Sequence, residues 1–243
     1  MLVIDTTHRI VFSMSAKAGS MALVEMLYAH SGDLEHWPGR GEIGIHEFGR
    51  ATNRRHGINQ RKIAALLATP GRSGHLAFKF VRNPFTRAVS SYLHVVSHPQ
   101  RLFAPFRPAA ETPEGLSFRG FLEHLRSVDM WTCNTHYRIQ KLPFEDQMDP
   151  PWDRIARIET LDADLQVVNR EFGLSLTMPE ERPARRRSLR AVGPATAVAD
   201  VPFGEMSGGW PPYDLFYDER TDALVRTVYG ADVDAYGYAG VDG

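Results

Sequence analysis

The sequence predicts one α/β domain built on a mainly parallel sheet, and three observations carry that expectation. Short apolar, β-branched runs alternate with amphipathic helical stretches. Two of those runs pass through a tight polar loop straight into a helix, as the first half of a βαβ unit does. The chain has 243 residues, 43% hydrophobic and 23% charged, which suits one large globular domain over 1–243 and excludes a disordered or collagen-like chain.

The first strand is read at Arg9-Ile-Val-Phe-Ser-Met14, an apolar, β-branched run short enough to be a buried strand. Ser15-Ala-Lys-Ala-Gly-Ser20 is a run of small residues around one lysine. Met21 to His30 places Leu23, Met26, Leu27 and His30 at helical spacing, and Ser31-Gly32 ends the helix. Residues 32 to 60 are rich in Gly, His and Arg with little periodicity, and read as a long irregular connection holding at most a short helix. Arg61 to Ala68 is a short helix closed by Pro70-Gly71. His75 to Val81 is the second strand, broken by Arg82-Asn-Pro84, with Thr86 as the expected N-cap of a helix running to Val96. Pro99 to Pro113 reads as a surface excursion, with Phe103 and Phe106 as packing residues. Phe118 to Val128 is an amphipathic helix and Arg154 to Ile158 a third strand. Thr160 to Phe172 is a helix ended by Gly173, and Phe216 to Tyr229 a final amphipathic helix. Residues 179 to 212 are mostly loop.

Lys plus Arg (28) nearly balances Asp plus Glu (29), so net charge gives no reason to expect a nucleic-acid partner. The single cysteine, Cys133, rules out an intrachain disulfide, and the sequence shows no clustered Cys and His of a structural zinc site, so no metal is expected. Asp5 and Arg9 interrupt the opening apolar run, so it does not read as a signal peptide. No stretch approaches about 20 apolar residues, so no membrane-spanning helix is expected.

In an open parallel sheet, ligands sit at the carboxyl ends of the strands, where both polar loops fall. In the first loop, Gly19 and the alanines let backbone approach an anion, the amides around Gly19, Ser20 and Met21 open a helix, and Lys17 adds charge. The loop is not a Walker A motif, because its lysine precedes the glycine. A solvated turn carrying a lysine is the plain alternative. In the second loop, Arg82 leaves the strand end, Pro84 turns the chain, and Ser90 follows about one turn into the helix. Arg and Ser at that spacing suit a dianionic phosphate, against the alternative of a surface ion pair and a helix filler.

Strand–Lys-x-Gly-Ser–helix followed by strand–Arg-Asn/Asp-Pro-Phe-x-Arg-x-x-Ser-x-Tyr–helix resembles the sulfotransferases. That family uses 3′-phosphoadenosine 5′-phosphosulfate (PAPS) as donor and releases PAP. The pattern is most similar to the Golgi-type carbohydrate sulfotransferases and their bacterial relatives. The resemblance extends through Asn134-Thr-His136-Tyr-Arg-Ile-Gln140, a His-x-x-x-Gln segment often near the acceptor, through Ile158 to Leu165, and through the C-terminal helix from Tyr217 to Tyr238. It implies a P-loop-like three-layer fold, with the mainly parallel sheet flanked by helices. It places Lys17, Ala18, Gly19, Ser20 and Met21 around the 5′-phosphosulfate, and Arg82 and Ser90 on the 3′-phosphate. Ala18 and Met21 stand where the family often has Thr, which removes a hydroxyl contact. The lack of a membrane anchor and of paired cysteines points to a cytoplasmic bacterial member.

The implied reaction is in-line attack of an acceptor hydroxyl, first of all on a carbohydrate, with Lys17 stabilising charge on the leaving oxygen and no metal required. In the family, a His or Glu between the two loops serves as general base. His46 is favoured over Glu47 because a histidine is largely neutral near pH 7. Glu42, His56, His75 and His136 are further candidates, with His75 read as structural. The Arg-rich run Glu181 to Arg190 reads as a loop closing over the nucleotide, a contact for an acidic glycan, or a solvated loop. The competing functions are a nucleotide-dependent kinase on the same class of sheet and a non-catalytic nucleotide- or glycan-binding domain. Nucleic-acid binding through the Arg-rich run is disfavoured, since no aromatics interleave it.

Overall fold

The computed structural model describes residues 1–39, 42–179, 197–206 and 210–241. In chain order the elements are β1 (Leu2–Asp5), β2 (Ile10–Met14), α1 (Ser20–Ser31), α2 (Ile45–Arg55), α3 (Gln60–Ala68), β3 (Leu76–Val81), α4 (Pro84–Ser97), α5 (Pro99–Leu102), α6 (Phe118–Leu125), β4 (Arg154–Arg157), α7 (Leu161–Phe172), α8 (Glu219–Val228) and α9 (Gly230–Tyr236). They group into two compact units. One comprises Met1–Arg82 and Leu142–Pro183, the other Asn83–Lys141 and Ala184–Gly243. Among the described residues, no helix is long and apolar enough to cross a membrane.

The first unit holds the sheet, in the order β1-β2-β3-β4. β2, β3 and β4 run parallel, and β1 pairs antiparallel with β2. The period-two alternation of strands sorts the side chains into two layers. Val3, Ile10, Phe12, Met14, Phe78, Phe80 and Ala156 pack on one face with α1, α2 and α7. Leu2, Ile4, Val11 and Ala77 pack on the other with Ile63 and Leu67 of α3. The unit is thus a three-layer α/β arrangement with a mainly parallel sheet, as the sequence predicts. The expected first strand begins at Arg9, but the structure adds β1 before it as an edge. The edge is blunted at Leu2, whose amide donates to Gln60 Oε1 at 2.7 Å while its carbonyl accepts from the same side-chain amide.

The second unit is helical around an aromatic core. Tyr92 meets Phe118, Phe121 and Phe216 at centroid distances of 5.7, 5.8 and 6.1 Å. α4 starts at Pro84, not after Thr86. Asn83 is its N-cap, accepting from the Phe85 amide at 2.9 Å. Pro84 at the first helical position is pre-set for the helix, so the cap falls three residues earlier than expected. The stretch expected as a surface excursion carries α5 and buries Leu102, Phe103 and Phe106 in this core. The expected final helix, Phe216 to Tyr229, is α8 and starts at Glu219, and a further short helix, α9, follows it from Gly230. Asp218 caps α8 in a reciprocal box with Thr221, and Arg119 donates to both Asp200 and Asp218. Those bonds hold the Asp218 carboxyl well below the usual carboxylate range.

Asp232 on α9 is fully buried and anchors the segment ahead of it. Its carboxylate accepts from the Gln140 amide at 2.7 and 2.8 Å and from the Lys141 amide at 2.8 Å. An Asp232→Ala variant leaves those donors buried and unmet, an expected loss on the order of 3 kcal/mol. Urea unfolding measures it, and an unchanged midpoint would contradict the anchoring role.

Candidate functional site

The loop Ser15–Gly19 leaves the carboxyl end of β2 and opens α1. Lys17 and Gly19 both lie in the left-handed region, at φ 67° and 72°. A Cβ on Gly19 would meet Ile158 Cδ1 at 3.6 Å, an ordinary contact, so backbone conformation rather than space selects glycine there. Lys17 has no such freedom, and its conformation costs on the order of 1–2 kcal/mol. A local strain of this kind persists only where neighbours hold it. The neighbour is Arg82, which follows β3 and donates from Nη1 to the Lys17 carbonyl at 2.8 Å. The two loops that the sequence singles out are joined by that bond.

Gly19 is the N-cap of α1, no side chain among the described residues caps the helix, and no acidic residue occupies its first turn. The positive end of the helix dipole is therefore not offset by a carboxylate of its own. Ala18 is buried, Lys17 and Ser20 are half-buried, and Met21 is exposed at the start of the helix. Small residues, amides and one lysine at a helix start form a cradle suited to an anion.

α2 brings His46 to the same place. The expected irregular connection contains this eleven-residue helix, whose buried face is Ile45, Phe48, Gly49 and Thr52. It lies close on α1, for Tyr28 donates to the Gly49 carbonyl at 3.3 Å. A Cβ on Gly49 would stand 3.1 Å from the Tyr28 ring, so glycine is what permits the approach. In this position His46 Nε2 is 3.3 Å from Ser20 Oγ. Glu47, one residue on, is exposed. Neighbouring residues on a helix point about 100° apart, so the two cannot serve the same face.

The other candidates stand as follows. Glu42 and His56 are exposed. His75 precedes β3, at the end away from the loops, and its Nδ1 is 3.0 Å from the Arg72 carbonyl. His136, in the second unit, has Nδ1 2.9 Å from Asn134 Oδ1 and its ring 4.6 Å from that of His94. Gln140 is buried with Asp232. Ser90 is a half-buried residue of α4, while the adjacent Ser91 donates to the Arg87 and His136 carbonyls. Burial pushes the Cys133 thiol up to about 11, which keeps it protonated and unreactive at neutral pH. Arg182 to Arg190 lie outside the described residues. Sequence reasoning did not single out Lys79, buried on β3, paired with Glu145 and 5.4 Å from the Trp152 ring. Its only signal was a charge inside an apolar strand.

A mainly parallel sheet with such a loop between strand and helix is a P-loop-like α/β fold. The chain matches the model of the sulfotransferase family over residues 1–239 and belongs to that family. It is an enzyme of sulfuryl transfer, and the family generally takes the sulfuryl group from PAPS. No curated protein and no solved structure matches it.

Proposed function

We propose that this enzyme transfers the sulfuryl group of PAPS to a hydroxyl of a carbohydrate acceptor. The acceptor oxygen attacks sulfur in line, the bond from sulfur to the bridging oxygen breaks, and PAP leaves with its 5′-phosphate. Lys17 faces the bridging oxygen and offsets the charge that builds there, assisted by the amides that open α1. His46 takes the proton of the acceptor hydroxyl. The residues Ala18 to Met21 hold the 5′-phosphosulfate. Arg82 and Ser90 hold the 3′-phosphate, an assignment that rests on the sequence pattern. The observation that carries the reading is the strained Lys17, held by Arg82 at the uncapped start of α1 with His46 against Ser20.

The direct test incubates the protein with radiolabelled PAPS and a panel of glycans, phenols and lipids. Label is expected on a glycan. Label on a phenol or lipid instead would overturn the acceptor class, and label from ATP in the presence of Mg²⁺ would favour the kinase reading. Arg82 has two tasks, since its guanidinium also holds the Lys17 carbonyl. Arg82→Ala is therefore expected to weaken PAP binding about 10–100-fold, and Ser90→Ala about tenfold, the scale of single hydrogen bonds to a charged group. Calorimetric titration with PAP measures both, and equal wild-type affinity in both variants would remove them from the 3′-phosphate.

A further inference from the structure

The far end of α1 from the loop carries a second cluster. The turn between β1 and β2 brings His8 beside Asp5, with His8 Nδ1 2.7 Å from Asp5 Oδ2. His30, in the last turn of α1, sets its ring 4.7 Å from that of His8. One donor atom from each of Asp5, His8 and His30 lies within 4.8 Å of the other two. All three residues belong to the first unit.

We propose that Asp5, His8 and His30 form a three-ligand site for a divalent transition-metal ion of the zinc class. Two imidazoles and one carboxylate are a donor set that zinc accepts, with water in the fourth position. The carboxylate is already oriented. Asp5 is 1% exposed, and its Oδ1 accepts from the amides of Thr7 at 2.8 Å and His8 at 3.0 Å, which leaves Oδ2 turned to the His8 ring. Such supporting bonds are what hold metal ligands in place. His30 Nε2 is buried and has no hydrogen-bond partner among the described residues, an unmet polar atom on a member of the cluster. The carboxyl end of a helix favours a cation by its dipole. Zinc–ligand distances of about 2.0–2.2 Å require the Asp5–His8 hydrogen bond to open and His30 to move inward, both small adjustments of side chains. An ion there ties the β1–β2 turn to the end of α1 opposite Gly19, and its role is structural.

The test titrates chelator-treated protein with Zn²⁺ by calorimetry and with Co²⁺ by visible absorption. One saturable site is expected, with a cobalt spectrum of low symmetry and a higher melting temperature in Zn²⁺. His8→Ala and His30→Ala are each expected to lower the affinity by roughly tenfold or more. His8 is exposed, so its replacement leaves the fold intact, and circular dichroism checks this. Absence of saturable binding would overturn the proposal. So would binding that both variants retain, which would assign the ion to another group such as His94, His98 and His136, where the His94 ring lies 4.2 Å from that of His98 and 4.6 Å from that of His136.

Discussion

Replacing Lys17 with Ala is expected to lower kcat about 10²–10³-fold, the loss typical of removing one preorganised stabiliser of transition-state charge. The substitution is a clean one. Arg82 holds the backbone carbonyl of Lys17, not its side chain, so the loop keeps its latch when the ammonium is removed. Alanine in the same left-handed conformation carries a similar strain. The affinity for PAP should fall much less than kcat, because charge on the bridging oxygen is greatest while the bond to sulfur breaks. Steady-state rates and a PAP titration on the same preparation separate the two. A variant with full kcat would remove Lys17 from the chemistry, and one with normal kcat but weak PAP binding would make it a binding residue only.

His46→Ala is expected to lower kcat about 10²–10⁴-fold, the usual worth of a positioned general base. Glu47→Ala should remain near wild type, because Glu47 is exposed while His46 Nε2 stands 3.3 Å from Ser20 Oγ. Gly49→Ala gives an independent check. Its added methyl presses on Tyr28, shifts α2 on α1 and displaces His46 without touching the imidazole, so it should lower kcat in part. Near-normal turnover in His46→Ala, with a large loss in Glu47→Ala, would exchange the two roles. Full turnover in both would place the base on another segment.

The parts of this account that were legible in the sequence are those with strong local patterns. β2 and β3 are continuous apolar runs, and the loops after Met14 and Val81 carry Lys17, Gly19, Arg82 and Ser90 at spacings that define them. α7 ends where Gly173 supplies a left-handed cap. The helix bearing His46 was not legible, because its buried face is completed by Gly49 and Thr52 rather than by large apolar residues. Its formation depends on packing against Tyr28, a tertiary fact. β1 was not legible either, since Leu2–Asp5 is four residues long and is made a strand by its pairing with β2. Asn83 is hard to read as a cap from the sequence, because Thr86, just beyond Pro84, also carries a side chain able to cap a helix. The latch from Arg82 to Lys17 joins residues 65 positions apart, and no local pattern announces it. The same limit hid the pairing of Asp232 with Gln140, 92 positions apart.

The central claim is that this chain binds a nucleotide bearing a 3′-phosphate and a 5′-phosphate, and the most direct measurement is a thermal-shift titration with PAP beside ADP, AMP and ATP–Mg²⁺. A ligand at 100 times its Kd adds about 2.7 kcal/mol of stability, which reads clearly as a rise in Tm. Stabilisation by PAP is expected to go well beyond that by ADP or AMP and to be reduced in Arg82→Ala. Stabilisation by ATP–Mg²⁺ with none from PAP, or no shift with any of the four, would contradict it.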